Sequence, residues 1–460
     1  MKATLAIALK TIRSAIRKKV VHVLFFFSFL TVFILPLTLV HDGTAKGLVQ
    51  ISLTYALGII GVLLSVVAVW LGSTLMSEDI EGYQLHMVLS KPVRRSQVWL
   101  GKWLGIVVLL GSLLAIDSVF IYGVCHYRLQ RAGFEEDEMA RLQAEVLRGR
   151  RVKRPDDIDL KQWAANELDR RLKMGMTLPP KMNRDSALGT LMSSLSKGEG
   201  DIRFRGTRPW VFHGLPKSSD DDEFMHLRFR MFVSKAKEKN QRQTQGLWTI
   251  KNFRAKELRQ SMITLPYRCM GGTFQELKIP TSLISDDGTL EVAYTNMDPM
   301  AQTVVVQRTD GPTLMFGGAG FANNYVRVIF LLFLQIVFMA TLGCATGGAM
   351  STPVAILISF SYVIFGLIVR YMQVSDADAQ AAQSEIPAMV VIKYIHIAVE
   401  AATISLNEFI QVGSLTDGRL VDMSGIGLIG VSVLIFRGLP IALIGIFCFS
   451  LRELGLVMRK

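Results

Sequence analysis

Apolar residues gather in long charge-poor runs near both ends of the chain, while its middle is polar. A soluble core draws on short periodic stripes, so runs of this length point to membrane spans. Six stretches meet the requirement of roughly 20 residues for a spanning helix: Val20–Val40, Val49–Met76, Lys102–Tyr127, Tyr325–Ala349, Val354–Met372 and Ile426–Leu451. The second is long enough to tilt or to project beyond the hydrocarbon. The sixth contains Gly438-Leu439-Pro440, which favours a kink. Residues 1–19 predict an amphipathic helix, with Leu5, Leu9, Ile12 and Ile16 at helical spacing and Lys10, Arg13 and Arg17 to one side. Such a helix suits a leaflet surface rich in anionic lipid, and the alternative is a basic orientation signal without a fixed helix. Pro387–Ala402 is apolar but short and carries Lys393, His396 and Glu400, so it predicts an interfacial helix and not a seventh span.

Residues 128–323 are too polar to cross a membrane. Through about Lys197 the pattern is helical, with Phe134–Leu147 and Leu160–Met174 as helices and Arg148–Arg154 as a solvated linker. From Trp210 the period changes to two, in Met225–Ser234, Gly246–Phe253, Leu290–Thr295 and Thr303–Gln307, with a turn at Asp286-Asp287-Gly288. The expectation is therefore an α-helical polytopic membrane protein of six transmembrane helices with an α+β insert. The insert divides into a helical region, 128–209, and a β-sandwich or jelly-roll-like domain, 210–323.

Charge fixes the orientation. Half of the residues are apolar and the net charge is +13. Much of the excess sits beside spans: Lys2, Lys10, Arg13, Arg17, Lys18 and Lys19 before the first, Lys91, Arg94, Arg95 and Lys102 between the second and third, and Arg452, Arg459 and Lys460 after the last. Positive charge collects on the cytoplasmic side, which places both termini and the 77–102 loop there and about 128–323 and 373–425 outside. The same placement argues against nucleic acid as a partner, because the cations mark topology and do not form a binding stripe. The N-terminus does not read as a cleaved signal, since its basic region runs to Lys19 and the apolar run behind it is span-length.

Candidate chemistry is sparse. The four cysteines, Cys125, Cys269, Cys344 and Cys448, lack metal-ligand spacing, and a bridge between Cys125 and Cys269 is left open. The seven histidines are scattered, with no ligand or triad arrangement, so no metal, cofactor or catalytic residue is expected. Two ionisable residues lie deep in spans, where they are costly. Asp117 lies fifteen residues after Lys102, and Arg437 fifteen before Arg452, each roughly 22 Å along its helix. Equal depth and opposite sign suggest that they pair.

The most informative stretch joins the second and third spans. It carries Glu78, Asp79 and Glu81, then Gly82, Leu89, Pro92, Arg94, Arg95 and Gly101-Lys102 opening the next span. This order of acid, Gly, leucine-rich turn, Pro-x-x-Arg and Gly-Lys resembles the cytoplasmic coupling segment of ABC-2 type permeases, with Tyr83 where that family usually has Thr. Three further stretches are similar to parts of these permeases: Gly320–Arg327, Ser351-Thr352-Pro353-Val354 and Leu451–Gly455.

The resemblance implies a permease subunit in the cytoplasmic membrane of a bacterium, with a bias towards export. It would act as a homodimer, or with a related permease, beside ABC ATPase subunits that hold the ATP and Mg²⁺. This chain binds no nucleotide in that reading and has no Gly-x-x-x-x-Gly-Lys-Ser/Thr loop. The competing reading from the residues is a membrane-anchored binding or scaffold protein that acts through its β domain.

Overall fold

The computed structural model describes residues 2–17, 19–34, 43–81, 93–156, 183–198, 201–216, 224–233, 243–252, 262–307, 310–371 and 411–451, with a few single positions between them. The chain forms two compact units, Met1–Gly149 with Ala319–Gln373 and His396–Lys460, and Arg150–Gly318 with Val374–Ile395.

The first unit opens with α1 (Lys2–Arg17), which ends where Lys19 takes φ 58° and turns the chain into α2 (Val20–Phe29). A π turn, Leu30–Ile34, continues α2. Thr44 caps α3 (Ala45–Glu81) through its hydroxyl, which accepts the Gly47 N–H at 3.0 Å. The next helix, α4 (Arg95–Ala132), ends on Gly133 in the left-handed conformation. Its 38 residues extend roughly 57 Å, well beyond a hydrocarbon core of about 30 Å. Acidic side chains fill the first turn of α5 (Glu136–Glu145), opposite in sign to the helix N-terminus.

The second unit contributes β1 (Arg148–Lys153), α6 (Arg184–Gly198) and ten further strands: β2 (Asp201–Ile202), β3 (Thr207–Phe212), β4 (Phe224–Arg230), β5 (Phe232–Val233), β6 (Gln243–Lys251), β7 (Met262–Met270), β8 (Phe274–Pro280), β9 (Leu290–Asn296), β10 (Val304–Val305) and β11 (Thr313–Gly320). The chain then returns through α7 (Phe321–Ala349), α8 (Thr352–Tyr371), α9 (Val412–Thr416), α10 (Met423–Gly430), a π segment (Val431–Gly438) and α11 (Leu439–Leu451).

Among the described residues, five helices are long and apolar enough to cross a membrane: α3, α4, α7, α8 and the continuous α10–α11. The chain is thus a membrane-embedded protein. The span expected over Val20–Val40 is shorter where it is described, as α2 and its π turn to Ile34, and residues 35–42 lie outside the described residues. At Gly438-Leu439-Pro440 the helix widens instead of breaking. The Leu439 N–H bonds the Leu434 carbonyl five residues back, so the π segment absorbs the interruption before Pro440, which has no N–H to give.

The bundle is built around α7, whose buried face includes Val328, Leu331, Leu332, Ile336, Phe338 and Cys344. It meets α3 along a glycine seam. A Cβ on Gly343 would stand 2.5 Å from the Val69 carbonyl oxygen, and one on Gly347 2.5 Å from that of Ser73, so only glycine allows this approach. At the end nearer β1, Asn324 clamps residues 419–421 by donating to the Arg419 carbonyl and accepting the Val421 N–H. Lys46 and Glu145 pair at 2.7 Å on the same unit.

In the second unit, one sheet runs β1-β11-β4-β8, another β3-β9-β6-β7, and a small third β2-β10-β5. Among the eight long strands the first lies beside the last and the second beside the seventh, which is the order of a jelly roll. The two large sheets pack face to face through Phe229, Trp248 and Tyr267, with ring centroids 4.6 and 5.5 Å apart from Phe229. The Asp286-Asp287-Gly288 turn is present, with Gly288 at φ +74°.

Several expectations change. Arg148–Arg154 is no solvated linker: β1 joins the first sheet, and Arg150, 3% exposed, makes a bidentate ion pair with Glu276 at 2.7 and 3.1 Å. The β region therefore begins well before residue 210, inside the stretch read as helical. Most of Leu160–Met174 and of Pro387–Ala402 lies outside the described residues. All four cysteines are free, and burial pushes the Cys269 thiol up to about 11.

Candidate functional site

The segment singled out in the sequence lies where α3 ends and α4 begins. Glu78 is exposed near the end of α3. Asp79 and Glu81 follow on its last turn, with side chains outside the description, and Gly82, Leu89 and Pro92 lie outside the described residues altogether. Beyond them, Arg94 is the exposed N-cap of α4, and its N–H is accepted by the Gln97 side chain at 3.2 Å. These contacts fix the start of α4 within one turn.

From that start a set of side chains reaches out to three other helices. Lys102 is buried at 5% exposure, and its ammonium donates to the Leu75 carbonyl of α3 at 2.5 Å. The Trp99 indole donates to the Cys344 carbonyl of α7 at 3.3 Å, and that of Trp103 to the Thr341 hydroxyl at 2.9 Å. Arg95 donates to the Ser450 carbonyl at the C-terminal end of α11, at 2.5 Å, where the helix dipole favours a cation. From α3, the fully buried Ser77 hydroxyl lies 3.0 Å from the Gly347 and Met350 carbonyls.

Each contact sends a donor to a backbone carbonyl or hydroxyl on another helix. The two from Arg95 and Lys102 are charge-assisted, which makes them shorter and stronger than the neutral ones. The arrangement ties the ends of α3 and α4 to α7 and α11. Arg95, Gly101 and Lys102 were identifiable in the sequence. Trp99, Trp103, Ser77 and the Gly343/Gly347 seam were not singled out, although the four-residue spacing of those two glycines was a readable signal.

Asp117 is also deeply buried, at 3% exposure. Its Oδ2 has no hydrogen-bond partner, and the enclosed Ser28 hydroxyl lies beside it without a well-formed bond. Arg437, the residue expected opposite it, is half-buried in the π segment before α11.

Comparison with protein families, characterised proteins and solved structures finds no match. Among the described residues no group of three or more His, Cys, Asp or Glu side chains could hold a metal ion.

Proposed function

We propose that this chain is the membrane-spanning permease subunit of an ABC-2 type transporter, coupling ATP hydrolysis by a separate ATPase subunit to export. In this reading α2 with the residues that follow it supplies a sixth span. The 77–101 segment and both termini face the cytoplasm, and the permease works as a dimer, homomeric or with a related chain. The jelly roll stands outside, where it meets the substrate or a partner.

The observation that carries the reading is the bracket around Lys102. A coupling segment must pass ATPase closure to the spans as rigid-body motion, which needs stiff joints at both of its ends. Arg95, Trp99 and Lys102 supply such joints to α11, α7 and α3. The exposed Glu78 offers a charge for docking register, as interface charges do. An anchor for an external binding domain would have no need of this bracing.

The test is affinity purification of the tagged full chain from the cells that naturally express it, with mass identification of what co-purifies. An ABC ATPase should co-purify, and Glu78→Lys should weaken its recovery at least several-fold without changing the permease yield. A permease that binds no nucleotide-hydrolysing subunit under these conditions would sink the proposal.

A further inference from the structure

We propose that α1 is a sensor of anionic lipid, and that it relays lipid binding to the 77–101 segment through Gly101 and Gly105. The second half of this inference rests on the coupling role proposed above; the first half does not.

Two observations define the docking. The inward face of α1 is a stripe of small residues, Ala8, Thr11 and Ala15, buried against the start of α4. Opposite them α4 presents glycine. A Cβ on Gly101 would lie 2.8 Å from the Ile7 Cβ and 2.9 Å from the Thr4 carbonyl oxygen, and one on Gly105 2.8 Å from the Ala8 carbonyl oxygen. The two helices therefore touch with no side chain of α4 between them, so a displacement of α1 moves α4 directly. Gly101 immediately precedes Lys102, which grips α3 at Leu75. Both ends of the 77–101 segment thus feel the position of α1.

The rest of α1 identifies the occupant. Leu5, Leu9 and Ile16 are 58%, 50% and 43% exposed, on a strip roughly 105° around the helix from the docked stripe. Next to that strip lie Lys2, Lys10, Arg13 and Arg17, all exposed, and α1 contains no acidic residue. Exposed leucines flanked by cations match a helix lying in the headgroup region, with its apolar strip in the acyl boundary and its cations on anionic headgroups. An acidic protein would satisfy the cations and leave the apolar strip uncovered. The helix also lies against the first turns of a spanning helix, which is the level of a leaflet surface.

The experiment uses the full chain in nanodiscs of phosphatidylcholine, with or without phosphatidylglycerol, and hydrogen exchange read on peptides covering 2–17 and 77–101. Phosphatidylglycerol should slow exchange several-fold in both segments of the native chain. In the surface variant K10Q/R13Q/R17Q the difference between lipids should vanish while exchange in phosphatidylcholine stays native. In G105A, segment 2–17 should keep its protection and 77–101 should lose it. The proposal is overturned if anionic lipid protects neither segment of the native chain, or if the triple variant keeps the effect on 77–101. Retained protection of 77–101 in G105A would overturn the relay, and free exchange of 2–17 in both lipids would assign the surface to a protein instead. No ATPase enters the measurement, so its failure and that of the transport reading are distinguishable.

Discussion

Lys102 is a cation enclosed among membrane helices, and it is tolerated there because the Leu75 carbonyl accepts it. Lys102→Met keeps the stem's volume and removes the donor. It should lower stability by about 1.5–3 kcal/mol, as expected for a hydrogen bond to a charged group, and appear as a lower Tm in detergent. Lys102→Arg should not restore the native value, since a planar guanidinium has different reach and fork geometry from an ammonium. At the glycine seam the direction of change is the opposite, towards crowding. Gly347→Ala puts a Cβ against the Ser73 carbonyl and should cost about 1–3 kcal/mol by forcing α3 and α7 apart, read in the same thermal assay.

At the scale of elements, strands with clean alternation were legible: β4, β6 and β9 fall within a few residues of their expected positions. β1 was not, because Arg-Gly-Arg-Arg-Val-Lys reads as solvated charge unless the partner of Arg150 is known, and that partner, Glu276, is 126 residues away. β7 carries Pro266 in mid-strand, which is admissible only because β7 is an edge of its sheet. β11 ends in Gly-Gly-Ala-Gly and looks like loop. The long apolar helices were visible from composition alone, whereas helix facing was not. The amphipathic character of α1 was equally plain, but no single-helix pattern reveals that its small residues dock while its leucines stay outside. Glu276→Gln tests the hidden contact. Leaving Arg150 buried without its counter-charge should destabilise the β unit by about 3–5 kcal/mol, seen as earlier proteolysis of the jelly roll than of the bundle.

For the molecule as a whole, the membrane unit is braced at both ends, by the Arg95–Lys102 contacts at one and Asn324 with Lys46–Glu145 at the other, and at mid-helix, where Gln335 donates to the Ser65 hydroxyl at 2.8 Å. The jelly roll between α4 and α7 has a particular consequence for the chain that passes through it. β1 lies beside β11, so the first and last long strands of the β unit are neighbours, about 4.8 Å apart. Loop-closure entropy changes by only about 0.6 kcal/mol per doubling of length, so replacing 150–318 with a short Gly-Ser link should leave a monodisperse bundle whose Tm in detergent is close to native. The β unit is in this sense an interchangeable insert, free to vary in size while the helices keep the same register.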